Sequence, residues 1–197
     1  MTKEHAVQND AMERAFRLAR VDRQLGFYQH PLETELFGAN LNDWLPRLAE
    51  RLDSGEYHPS SATIIDVPKK DWHVRPAAWL CFEDLVAFHY LLLKNESVIG
   101  NRLRLTDETT RFSHLLSESP KSWFREGFSG WDNFRRVSLA RIDERILCSV
   151  VLADITGYYE NIDLGILARD LDDIGFEKLS MTFGFLRATR ARLGLLF

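Results

Sequence analysis

Apolar positions recur at helical spacing along the first quarter of the chain. Met12, Phe16, Ala19 and Val21 follow Asn9 and Asp10, which predicts a helix capped by those polar residues and stopped at Gly26. Trp44, Leu45, Leu48 and Leu52 predict a second helix beginning at Asn42 or Asp43 and ending at Gly55. Pro46 falls in its first turn, where a missing N–H costs little. The period then shortens. Thr63 to Val67 is a β-branched run ended by Pro68, and Val74 to Leu80 reads as its return strand, with Lys69 to His73 as the hairpin tip. Glu83 to Lys94 carries apolar residues on more than one face and predicts a largely buried helix. Residues 101–120 are polar and less regular. From Lys121 to Arg145, aromatic residues (Trp123, Phe124, Phe128, Trp131, Phe134) interleave with Arg125, Arg135, Arg136, Arg141 and Arg145, and the last part reads as helix. Leu147 to Ala153 is an apolar run of strand length, followed by a helix near Leu164 to Leu171, a break at Gly175 and a final helical stretch through Arg187, Arg190 and Arg192.

At 197 residues and 45% hydrophobic content, the chain has the material for one substantial core. A net charge of −4 and a pI near 5.9 give no global basic footprint, so any contact with nucleic acid is local. Cys81 and Cys148 lie far apart in apolar surroundings, without a CxxC pair or companion histidines, and read as buried free thiols of a reducing cytoplasm. No apolar stretch approaches the roughly 20 residues of a membrane span, and the N-terminus has no signal-peptide core. The expected location is cytoplasmic, with no membrane partner.

The segment from Ile146 to Leu167 carries the sharpest chemistry. A buried strand that delivers one carboxylate, Asp154, at its end, followed by a tight turn and the aromatic pair Tyr158 and Tyr159, suits the presentation of a metal ligand. The plainer alternative is a central strand of any α/β protein, with Asp154 capping the next helix.

Two separated blocks resemble the reverse transcriptase family. Asp66 to Pro76, D-V-P-K-K-D-W-H-V-R-P, is similar to the fingers hairpin of bacterial reverse transcriptases of the group II intron, retron and abortive-infection or phage-defence types. Leu152 to Leu167, L-A-D-I-T-G-Y-Y-E-N-I-D-L-G-I-L, is similar to the first catalytic motif of the palm. Between them, Phe112 to Leu115, Trp123, Phe124 and the Trp131 to Arg136 cluster resemble the defence-associated branch.

The resemblance implies an α+β fold: helix-rich fingers and a partial palm of a right-hand polymerase, with residues 1–56 as an N-terminal helical extension and 57–197 as an incomplete reverse transcriptase domain. It implies RNA-directed DNA synthesis with Mg2+, an RNA template, a DNA or protein primer and deoxynucleoside triphosphates. Asp154 becomes the catalytic metal ligand, joined by the carbonyl of Ile155. Tyr159 packs on the incoming sugar and discriminates deoxyribose from ribose; ordinary core packing is its alternative role. Lys69, Lys70 and Arg75 hold the triphosphate, arginine being suited by its planar fork. A solvated charged turn is the alternative for the two lysines. The aromatic and basic region from Trp123 to Arg145 offers a template strand stacking surfaces and phosphate contacts, or else forms an amphipathic packed segment with solvated arginines.

The chain departs from the family pattern at Leu164, where intron-type enzymes often carry histidine, and at Leu115, where an arginine is expected. No tyrosine-x-aspartate-aspartate motif follows Asp154; the adjacent Asp172 and Asp173 fall at a helix end without flanking strands. This pattern reads as a truncated palm, to be completed by a further palm segment or a partner chain. Two rival readings stand beside it: a degenerate, non-catalytic nucleic-acid-binding or scaffolding remnant, and an unrelated helical protein in which both blocks are coincidental.

Overall fold

The computed structural model describes residues 3–25, 31–68, 74–104, 112, 123, 127–145, 149, 151, 153, 161–178, 180–182 and 184–187. These form seven named helices and one two-stranded antiparallel sheet, an α+β arrangement dominated by helix.

The first helix, α1 (Lys3–Leu25), starts well before its expected cap. Asp10 is exposed, so a side chain that favours a cap also sits comfortably on a solvated helix face. Met12, Ala15, Phe16 and Ala19 line the opposite, buried stripe. Pro31 opens α2 (Pro31–Ala39), a helix the sequence pattern did not announce. Its Leu32 and Leu36 are 63% and 66% exposed, so it lacks the buried stripe from which helical period is read.

Asn40 caps α3 (Leu41–Ser54) by position, without a side-chain bond, and Gly55 ends it with φ at 81°, the left-handed conformation that glycine adopts without Cβ strain. The start at Leu41 moves Pro46 out of the first turn and into the second. The carbonyl of Asn42 loses a helical partner there, but both residues are exposed and water reaches them.

The hairpin forms at the expected place. Strands β1 (Thr63–Pro68) and β2 (Val74–Trp79) pair from Thr63 opposite Trp79 to Pro68 opposite Val74. Next, α4 (Phe82–Lys94) buries Phe82, Val86, Ala87, Tyr90 and Leu91 and packs chiefly on α1, whose Ala15 and Ala19 allow close approach. Then comes α5 (Glu96–Arg104), a helix the sequence pattern did not announce, whose last four residues fall in the stretch 101–120 read as irregular; Gly100 and the polar residues of its sequence obscured it.

Phe16, Phe37, Trp44 and Phe82 meet edge-on or tilted at centroid separations of 4.8 to 6.1 Å, joining α1, α2, α3 and α4. The remaining named helices are α6 (Gly127–Arg145) and α7 (Leu164–Asp173). Asp163 caps α7, its Oδ1 accepting from the amides of Gly165 and Ile166. No residue of α7 is buried. Beyond it the chain returns to the core: Phe185 stacks on Tyr57 and tilts against Phe88.

The expected strand over 147–153 is not formed at its described positions. Ser149, Val151 and Ala153 belong to no strand and are exposed, Val151 by 90%. A strand needs a ladder partner, and the described sheet contains only β1 and β2. Cys81 is also exposed rather than buried.

Candidate functional site

The β1–β2 hairpin positions the first motif. In its register Asp66 lies opposite Pro76, Val67 opposite Arg75, and Pro68 opposite Val74. Arg75 therefore stands one ladder position inside the last pair, beside the tip at 69–73. Lys69 and Lys70 lie outside the described residues, as do Asp154, Ile155 and Tyr159; Arg75 is described by its backbone alone. The structure thus brings together the two arms of the first motif, while the second motif is described at Ala153 and from Asn161 onward. Among the described residues, no three His, Cys, Asp or Glu side chains converge as a metal site.

A buried arginine fixes the base of the hairpin. Arg23, near the end of α1, is only 6% exposed and lays its guanidinium over the ring of Trp79, 3.7 Å from the centroid. Nη2 donates to the carbonyl of Leu80 at 2.7 Å and lies 3.3 Å from Glu33 Oε2. Burial pulls Arg23 below its usual range, opposed by the Glu33 carboxylate. Glu33 Oε1 also accepts from the Phe82 amide at 3.1 Å, satisfying the start of α4. One ion pair therefore joins α1, α2, the end of β2 and the start of α4.

A second cluster holds the segment leading into β1. Asp84 is 1% exposed, and its carboxylate accepts from the Tyr57 hydroxyl at 2.6 Å, the Ser60 amide at 3.1 Å, the Ser60 hydroxyl and the Cys81 thiol at 3.1 Å. These donors offset the cost of burying the charge. Burial, reinforced by Asp84, pushes the Tyr57 hydroxyl far above the ordinary phenol range, so it remains a donor. Cys81 is exposed as a residue, but partial desolvation of its sulfur raises the thiol, which disfavours the nucleophilic thiolate. Cys81 is a capping residue here: its sulfur accepts from the Asp84 amide.

His89 of α4 is 3% exposed and accepts at Nδ1 from the Trp123 indole at 2.7 Å. Its Nε2 lies 2.9 Å from Asp22 Oδ2 but lacks hydrogen-bond alignment. Arg14 sits 5.9 Å from the Trp123 ring and makes a two-pronged pair with Glu96 at 2.6 and 2.8 Å. Trp123, expected within a template-binding stretch, is thus anchored to α1 and α4.

Farther along, Asn95 donates to the carbonyls of Leu91 and Glu177 and accepts from the Glu177 amide at 2.6 Å. Lys178 Nζ donates to the Asp53 carbonyl at 2.7 Å. These bonds hold the segment after α7 against the core.

Sequence reasoning missed Arg23, Glu33, Asp84, His89 and Asn95. The available signal was weak: a charged or amide residue inside or at the end of an apolar pattern, whose partner lies tens of residues away. No family model, curated protein or solved structure matches this chain.

Proposed function

We propose that the chain carries the fingers and the first part of the palm of an RNA-directed DNA polymerase of the reverse transcriptase type. The observation that supports this most is the β1–β2 register: the D-V-P and V-R-P ends of the first block pair as antiparallel strands, with Arg75 opposite Val67. A two-stranded arm carrying cations is suited to fold over a triphosphate.

In this reading Lys69, Lys70 and Arg75 bind the triphosphate, with the arginine fork gripping two oxygens. Tyr159 packs on the incoming sugar and discriminates deoxyribose from ribose. The Asp154 carboxylate and Ile155 carbonyl are hard oxygen donors of the kind Mg2+ takes. When bound, the metal supplies charge neutralisation at the transferring phosphoryl group. Template, primer and deoxynucleoside triphosphate are the substrates. The remaining carboxylates belong to a second motif that this sequence does not contain.

The test is photochemical crosslinking of a labelled deoxynucleoside triphosphate to the purified protein, followed by peptide mapping. Labelling is expected within residues 69–75 and is expected to fall on Arg75→Ala, while Tyr159→Ala lets a ribonucleotide compete. Labelling that ignores both substitutions overturns the assignment. A second reading, a non-catalytic nucleic-acid-binding protein, is favoured by the exposed, unpaired state of Val151 where a palm strand is expected. Crosslinking to nucleic acid without triphosphate labelling supports that second reading.

A further inference from the structure

We propose that the cleft between α1 and α3 binds a small aromatic monocarboxylate with a hydrogen-bond donor, such as a hydroxyl, at its far end. The cleft has a volume of about 500 Å3 and opens to solvent. Sites for small organic molecules span roughly 300–1,000 Å3, so the size suits such an occupant. Glu13, Phe16, Arg17 and Arg20 share one face of α1 and form one wall, while Asn42, Leu45 and Pro46 of α3 form the other. Phe16 and Leu45, 4% and 6% exposed, belong to the core and give the cleft an apolar floor.

The charges on the α1 wall leave one cation over. Arg17 and Glu13 form a pair at 3.5 Å and largely cancel each other. Arg20 is exposed and joins no ion pair among the described residues. Its planar fork is suited to grip both oxygens of one carboxylate.

The α3 wall supplies the opposite function. Pro46 has no N–H, so the Asn42 carbonyl four residues earlier lacks its helical donor. Both residues line the cleft, which places this acceptor at its wall. A proline inside a helix therefore turns a backbone group that is ordinarily consumed into one that a ligand hydroxyl can reach.

These features select the occupant. Inorganic phosphate would leave the apolar floor wetted and bring more negative charge than one cation offsets. A long acyl chain would have to run past the paired charges of Glu13 and Arg17. A flat ring between two helix walls covers Phe16, Leu45 and the Pro46 ring, with its acid toward Arg20 and its donor toward the Asn42 carbonyl. The cleft lies wholly within residues 13–46, before the β1–β2 hairpin, and its ligand does not depend on the polymerase reading.

The experiment is a titration of the 197-residue protein with para-hydroxyphenylacetate, followed by nuclear magnetic resonance. Phenylacetate, tyramine and inorganic phosphate are the comparison probes. The hydroxylated acid is expected to bind with a millimolar or tighter dissociation constant, as suits so few atoms. Phenylacetate is expected to bind severalfold more weakly, for want of one hydrogen bond, and tyramine and phosphate not to compete. Arg20→Gln, a surface exchange, should weaken binding of the acid about tenfold, and Arg20→Glu should abolish it. Arg47→Gln, which removes an exposed arginine outside the cleft wall, should change nothing. Pro46→Ala restores an N–H to the Asn42 carbonyl and is expected to erase the preference for the hydroxylated acid over phenylacetate while the fold persists.

Absence of binding by both aromatic acids overturns the proposal. So does binding that ignores Arg20→Glu, or tyramine binding as tightly as the acids. A preference for the hydroxylated acid that survives Pro46→Ala removes the Asn42 carbonyl from the site and overturns the stated ligand class. None of these outcomes bears on triphosphate labelling near residues 69–75.

Discussion

The α1–α3–α4 core and the α6–α7 region use similar residues to different ends. In the core, Phe82 is fully buried between α1 and α2 residues, Asp84 is enclosed by four donor groups, and Arg23 is sealed against Trp79. In α6, Trp131, Phe134 and Leu139 remain exposed, and α7 buries nothing. Aromatic and charged side chains stabilise the fold only where neighbours exclude water and supply partners. The same residue types in α6 are presented outward, where they are available for recognition. The core therefore keeps its aromatic and charged groups inside, whereas α6 presents its own to solvent.

The largest expected effect that separates the regions is cavity formation. Phe82→Ala should cost about 3–5 kcal/mol in urea unfolding, whereas Leu139→Ala in α6 should stay within about 0.5 kcal/mol. Equal losses would erase the distinction. Next, Asp84→Asn should cost about 1–3 kcal/mol, because the amide cannot accept from all of Tyr57, Ser60 and Cys81 as the carboxylate does. Denaturation midpoints at neutral pH measure it. If Asp84→Asn is neutral, the enclosed charge does not organise the approach to β1.

A pH experiment sharpens the same point. The Tyr57 pKa is raised on folding by burial and by Asp84, so its contribution is complete below the unfolded phenol value near 10. Above that value the unfolded chain releases a proton that the folded chain retains, and stability falls as pH rises. Tyr57→Phe should be less stable at neutral pH but should lose this alkaline slope, as read from unfolding at successive pH values. The smallest expected effect belongs to α6: Trp131→Ala should leave the denaturation midpoint almost unchanged, because most of the ring is already exposed.

The sequence disclosed the parts whose stabilisation is local. The run Thr63 to Val67, Pro68 and the return from Val74 located the hairpin, because strand propensity and a proline stop act over a few residues. Gly55 marked the end of α3 through its backbone alone. α2 was hidden because Leu32 and Leu36 face water and leave no buried stripe. The run Leu147 to Ala153 misled for the opposite reason: apolar content suggests burial but does not supply the neighbouring strand, and Val151 is exposed. Of the candidate site, Arg75 lies in the expected strand, while Lys69, Lys70, Asp154, Ile155 and Tyr159 fall outside the described residues. The contacts that hold the hairpin, from Arg23 to Leu80 and from Tyr57 to Asp84, span 57 and 27 residues and left no local signature.

On the proposed reading, Asp154 is the first catalytic aspartate of a polymerase. Templated primer extension with Mg2+ and deoxynucleoside triphosphates, by an intact polymerase containing this segment, tests it most directly when wild type is compared with Asp154→Asn. The substitution is expected to abolish extension while leaving the fold intact, since it removes a charged metal ligand and almost no volume. The 197-residue chain is expected to extend no primer by itself. Equal extension by wild type and Asp154→Asn would remove Asp154 from the catalytic role.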